Sequence, residues 1–109
     1  MSRTHTVYLL HFEPAYAAPI GDTGRFKLAG HYLGSTGATV EQRLAEHLAG
    51  HGSPLVRAAV RAGCTVTLAR TWTGGRTDER AAKRAHNHRR LCPLCTSSPA
   101  PPPRAHRGR

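Results

Sequence analysis

Arg43 and His47 stand four residues apart in "RLAEH", a spacing that puts both on one face of a helix. An Arg on such a face can clamp a phosphate through parallel N–H donors. A His beside it can donate to the phosphate or assist proton transfer. After Glu46 the only carboxylates are Asp78 and Glu79. Glu79 falls in the first turn of an expected helix, beside the Gly74-Gly75 turn, where a carboxylate can lean into a cleft. One carboxylate can hold Mg²⁺ or Mn²⁺ against a phosphate. Tyr8 and Tyr32 lie in short apolar runs. A phenol near a metal and an Arg loses its proton more easily and can act as a base. Each residue also has a plain structural use. Arg43 and His47 suit a solvated helix face, Glu79 a helix N-terminus with Lys83 as its partner one turn on, and the tyrosines a half-buried strand.

A second group lies near the end of the ordered sequence. "LCPLC" gives Cys92 and Cys95 in a C-x-x-C arrangement, which can grip Zn²⁺ if two more ligands are found. His86 and His88 are near enough in sequence to supply them. The other reading is a pair of reduced thiols with a packing role. His5, His11, His31, His51 and His106 have no evident partner in the sequence, and Cys64 reads as a small core residue.

These residues need elements to carry them. "TVYLLHF" (6–12) reads as a strand. Residues 13–30, with two prolines and three glycines before Gly30 is passed, read as a loop, extended near Phe26 and Leu28. "HYLGS" returns to strand character. Thr39 with Gln42 three residues on makes a capping-box start for a helix, and Val40, Leu44 and Leu48 form its apolar stripe. Gly50 and Gly52 stop it. Ser53-Pro54 starts a second helix with Leu55, Val56, Ala59 and Val60 inward, ended by Gly63. "CTVTLARTW" (64–72) alternates as a third strand. Thr77 or Asp78 starts a last helix through about His88. The expected fold is a mixed α/β (α+β) domain over residues 1–95: a small three-stranded, mainly antiparallel sheet flanked by helices. Residues 96–109, "TSSPAPPPRAHRGR", read as a disordered Pro/Arg-rich tail.

The charge narrows the partner. The 109-residue chain carries 16 Lys+Arg against 6 Asp+Glu, a formal net charge of +10. Removing Arg104, Arg107 and Arg109 of the tail takes three from +10 and leaves about +7, so the expected domain is basic in its own right. Such a charge attracts a polyanion, most simply DNA, with salt-sensitive affinity. No apolar run is long enough to span a membrane, and the start lacks a signal-peptide pattern. The expectation is therefore a cytoplasmic protein with no membrane partner. Three cysteines do not suggest a disulfide framework.

Taken in order, "TVYLL", "HYLGST", "RLAEH", a Glu in a late helix and an Asn after it resemble the GIY-YIG nuclease domain, over roughly residues 6–95. The closing "NHRRLCPLC" looks like small stand-alone members that finish in a short CPxC segment. The resemblance implies a metal-dependent DNA endonuclease. It matches Tyr8 to the tyrosine of the first motif and Tyr32, Leu33 and Gly34 to the second. Arg43 matches the arginine at the scissile phosphate, and His47 the histidine on the same helix. Glu79 matches the single metal-binding glutamate, and Asn87 the asparagine that helps order the site. The first motif, Thr6-Val7-Tyr8, lacks its glycine, and the long segment before Tyr32 reads as an inserted loop. The competing expectation is a non-catalytic basic nucleic-acid-binding module, either a decayed nuclease or a zinc-stabilised adaptor.

Overall fold

The computed structural model describes residues 5–102. Its elements run β1 (Thr6–Pro19), β2 (Phe26–Thr36), α1 (Val40–Leu48), α2 (Pro54–Arg61), β3 (Thr65–Thr73), α3 (Arg76–Ala85) and α4 (His88–Leu91). The strands form one antiparallel sheet in the order β2-β1-β3. The fold is thus mixed α+β, with three strands and flanking helices, as the sequence indicates.

Strand alternation sorts β1 into two layers. Val7 and Leu9 pack with Leu33, Ala82, Leu91 and Cys92 on one side of the sheet. Tyr8, Leu10 and Phe12 pack with Val56 and Ala59 on the other. All of these core side chains are essentially solvent-free. The α2 helix forms as expected: the Ser53 hydroxyl accepts from the Leu55 N–H, Pro54 takes the first helical position, and Gly63 follows with φ +92°.

The long segment between the first two motifs is not a loop. β1 and β2 extend into a hairpin arm, pairing from Tyr16↔Ala29 to Pro19↔Phe26, beyond a register shift that follows His11. Two prolines obscured this arm because proline donates no ladder hydrogen bond. Pro14 falls inside the irregular stretch, one residue past Glu13↔Thr65, where pairing with β3 ends. Pro19 is the last residue of its strand. Neither position breaks a ladder. The arm turns at residues 20–25, with Gly21 and Gly24 at positive φ, and it exposes Phe26 and Leu28.

The last helix is also shorter than expected. α3 ends at Ala85, and His86 adopts a left-handed backbone (φ 51°) that turns the chain before the single turn of α4. Beyond Cys95 the chain stays packed for several residues. The Ala100 N–H donates to the Arg90 carbonyl at 2.8 Å, and Arg70 donates to the Leu91 and Ala100 carbonyls at 3.1 and 2.6 Å. The rest of the expected tail, residues 103–109, lies outside the described residues. No described helix is long and apolar enough to cross a membrane.

Candidate active site

An open cleft of about 350 Å³ gathers Tyr8 from β1, Tyr32 and Ser35 from β2, Arg43 from α1, and Arg76, Glu79, Arg80 and Lys83 from α3. Four cations face one carboxylate, so the cleft is basic. Its position follows from the fold. β2 is an edge strand, α3 packs against β2 and β1, and α1 follows directly from the end of β2.

Tyr8 forms the floor and is only 1% exposed. Its Oη lies 2.8 Å from His47 Nε2. The Ser53 backbone N–H donates to His47 Nδ1 at 3.2 Å. A nitrogen that accepts cannot carry the proton, so Nε2 carries it and donates to the phenol oxygen. Burial holds the His47 imidazole below its ordinary pKa, with Arg43 adding to the effect and Glu46 opposing it. Burial also raises the Tyr8 phenol; the Arg43 guanidinium pulls the other way, while Tyr32 and Glu79 raise it. Tyr8 therefore keeps its proton at neutral pH while two donors, His47 and Arg43, favour its anion.

Two glycines make room for this pair. Gly34 faces Tyr8 across the ladder, and a Cβ there would lie 2.6 Å from the Tyr8 Oη. A Cβ at Gly52 would lie 2.0 Å from His47 Nδ1. Both contacts are well inside van der Waals distance, so each glycine is a spatial requirement.

Glu79 is held on both oxygens. Ser35 Oγ donates to Oε1, and Lys83 Nζ lies 3.0 Å from Oε2. The Lys83 ammonium also sits 5.8 Å from the Tyr32 ring centroid, a cation–π arrangement. Arg43 pairs with Glu46 at 2.8 Å.

Of the residues singled out from the sequence, Tyr8, Tyr32, Arg43 and Glu79 meet in the cleft. His47 is fully buried behind Tyr8, so it does not stand beside Arg43 on an open face. Leu48, expected inward, is the exposed neighbour, at 48%. Asn87 is not among the cleft-lining residues; it precedes α4 with its Oδ1 buried and unpartnered. Sequence reasoning missed Ser35, Arg76, Arg80 and Gly52. "GHGS" held the one usable signal for His47: a second glycine just after the helix stop.

The metal-ligand expectation for His86 and His88 is corrected. The Cys92 and Cys95 thiols meet His11 and His31, and the four donor atoms all lie within 4.8 Å of one another, so this group could hold a metal ion. His11 and His31 are direct cross-strand partners, a proximity set by sheet register rather than by sequence distance. His86 is exposed at the end of α3. His88 stands behind His31, ring edge to face at 6.4 Å. Burial holds the His31 imidazole down at about 4, and the neighbouring His11, His88 and Arg89 oppose its protonation further. Burial, then Cys92, raises the Cys95 thiol.

No protein-family model, characterised protein or solved structure matches the chain.

Proposed function

We propose that the cleft is the active centre of a metal-dependent endonuclease of the GIY-YIG type that hydrolyses DNA phosphodiester bonds. One observation carries this reading: Tyr8, Tyr32, Arg43 and Glu79, from four separate elements, converge on one basic concave surface. A purely structural use of each residue gives no reason for them to meet.

The donor set suits a hard cation. Mg²⁺ is commonly held by one or two carboxylates plus substrate phosphate and water, and Glu79 offers one carboxylate to an open polar cleft. Bound there, Mg²⁺ or Mn²⁺ would supply charge neutralisation at the scissile phosphate. That ion is distinct from any held by the thiolate–imidazole group, whose softer donors suit Zn²⁺.

The chain's own residues divide the remaining work. Arg43, with Arg76 and Arg80 beside it, binds the phosphodiester and offsets charge that builds on its oxygens. Tyr8 first gives its proton to solvent; the phenolate, stabilised by the His47 Nε2–H and Arg43, then takes a proton from the attacking water and becomes the phenol again. Tyr32 positions the phosphate. Lys83 holds the Glu79 carboxylate in the cleft, where it would ligate the cation. Glu79→Ala is expected to abolish nicking of supercoiled plasmid in Mg²⁺ or Mn²⁺ while leaving the circular dichroism spectrum unchanged. Salt-sensitive DNA binding with no metal-dependent nicking by the wild type would favour the non-catalytic binding module instead.

A further inference from the structure

We infer that His11, His31, Cys92 and Cys95 form a closed, four-coordinate Zn²⁺ site that clasps the root of the hairpin arm to the C-terminal segment. The site is on the opposite layer of the sheet from Tyr8 and His47, and nothing in it depends on the cleavage reading.

The donor geometry is specific. His11 Nδ1 and His31 Nε2 are 3.4 Å apart. His11 Nδ1 lies 3.6 Å from each thiol sulfur, and His31 Nε2 lies 3.3 Å from Cys95 Sγ. A tetrahedron with Zn–N of about 2.05 Å and Zn–S of about 2.3 Å has an N···N edge of about 3.3 Å and N···S edges of about 3.6 Å. Four of the six donor–donor distances thus match the edges that one Zn²⁺ requires, and all six are within 4.8 Å. Hydrogen bonds among themselves do not explain the arrangement. His11 Nδ1 faces two sulfurs and another ring nitrogen at once, which is more partners than one lone pair can serve.

The surroundings point the same way. His11 Nε2 is 2.9 Å from Glu13 Oε1. That contact fixes the Nε2–H tautomer and leaves the Nδ1 lone pair directed at the sulfurs, the carboxylate–histidine–metal pattern of ligating imidazoles. Cys92 is fully buried. After it, the N–H groups of Cys95 and Thr96 both donate to the Cys92 carbonyl at 3.1 Å, a tight turn that brings the second thiol back beside the first.

Binding would release one proton from each thiol to solvent, and two thiolates with two neutral imidazoles make a site of no net charge around Zn²⁺. Four protein donors leave no open coordination position, so the ion is structural. It joins β1, β2 and the segment after α4, at the point where three-stranded pairing gives way to the two-stranded arm. A chain of this size has little core with which to hold such a junction by packing alone.

The test uses the full chain. Purified without chelator, it is expected to carry one zinc per chain by mass spectrometry of the digested metal. Exchange for Co²⁺ is expected to give the intense visible bands of a tetrahedral ion and a thiolate-to-cobalt charge-transfer band. His31→Ala should remove or alter those bands. Glu13→Gln should weaken zinc about 10-fold. His86→Ala should leave the spectrum unchanged, and so should Glu79→Ala, which separates this site from the cleft. If Cys92→Ser does not fold, the wild-type cobalt spectrum still decides. A folded wild type that gives only weak octahedral cobalt bands with no thiolate transition would overturn the proposal, as would bands that survive His31→Ala but vanish in His86→Ala.

Discussion

Tyr8 and His47, far apart in sequence, share a 2.8 Å hydrogen bond in which the imidazole donates and the phenol oxygen accepts. The donor is fixed from behind by the Ser53 N–H, so the pair forms a short relay from α2's N-cap, through His47, to the cleft floor. A phenol held this way already has the contact its anion needs.

Tyr8→Phe removes that acceptor. The His47 Nε2–H is then left buried without a partner, which costs about 1–3 kcal/mol of stability. Cleavage should fall about 10²–10⁴-fold, the usual range for loss of a general base. Urea denaturation and nicking rates measure the two effects separately. Near wild-type cleavage in a folded Tyr8→Phe protein would remove Tyr8 from the base role.

Gly52→Ala places a methyl where the His47 ring stands. The ring must move or the α1–α2 turn must open, an overpacking cost of about 1–3 kcal/mol. Gly63 gives the control: nothing lies near its Cβ position, and the cost there comes from its positive φ alone. A methyl at Gly52 should therefore lower cleavage as well as stability, whereas Gly63→Ala should lower stability only.

His47 also sets an acid limit. Its folded pKa is depressed by burial first, then by Arg43, against Glu46. The charged and titratable groups around it are Arg43 and Glu46 on its own helix, Tyr8 on β1 and Tyr32 on β2. A depressed folded pKa means that the unfolded chain binds the proton first. The stability that neutral His47 contributes is whole above the unfolded value of about 6.5, and it is lost as pH falls through the folded pKa. The stability gap between wild type and His47→Asn should narrow from pH 7.5 to pH 5. A gap that stays constant across that range would contradict it.

The cations of the cleft should show in the salt dependence of DNA binding. Each phosphate contact contributes about 0.9 to the slope of log K against log salt. Arg76→Ala and Arg80→Ala should each reduce the slope by about that amount. A surface cation away from the cleft, such as Arg61, should change it little.

The strands, the first two helices and their caps were legible because each rests on local chemistry: alternation in "TVTLARTW", the Thr39 cap, the Ser53-Pro54 start. Tyr8, Tyr32, Arg43 and Glu79 were legible by type and order. What failed was long-range. The arm was hidden because Pro14 and Pro19 signal loop, and only the structure places them where they interrupt no ladder. His31 was passed over because its partners are a cross-strand residue and a cysteine beyond α4, neither visible in local spacing. His47 was read as a surface residue because helical periodicity places it beside Arg43; the gap at Gly52, which lets the ring turn inward, lies outside the helix.

Cleavage itself is the most direct measurement. Wild type and Glu79→Ala, incubated with supercoiled plasmid in Mg²⁺ or Mn²⁺ and in excess EDTA, are scored for open-circular and linear product. The expected result is nicking by the wild type that stops in EDTA and is absent in Glu79→Ala at equal folded concentration. Nicking by Glu79→Ala at the wild-type rate, or a wild type that binds the plasmid in either metal and never cuts it, would contradict the assignment.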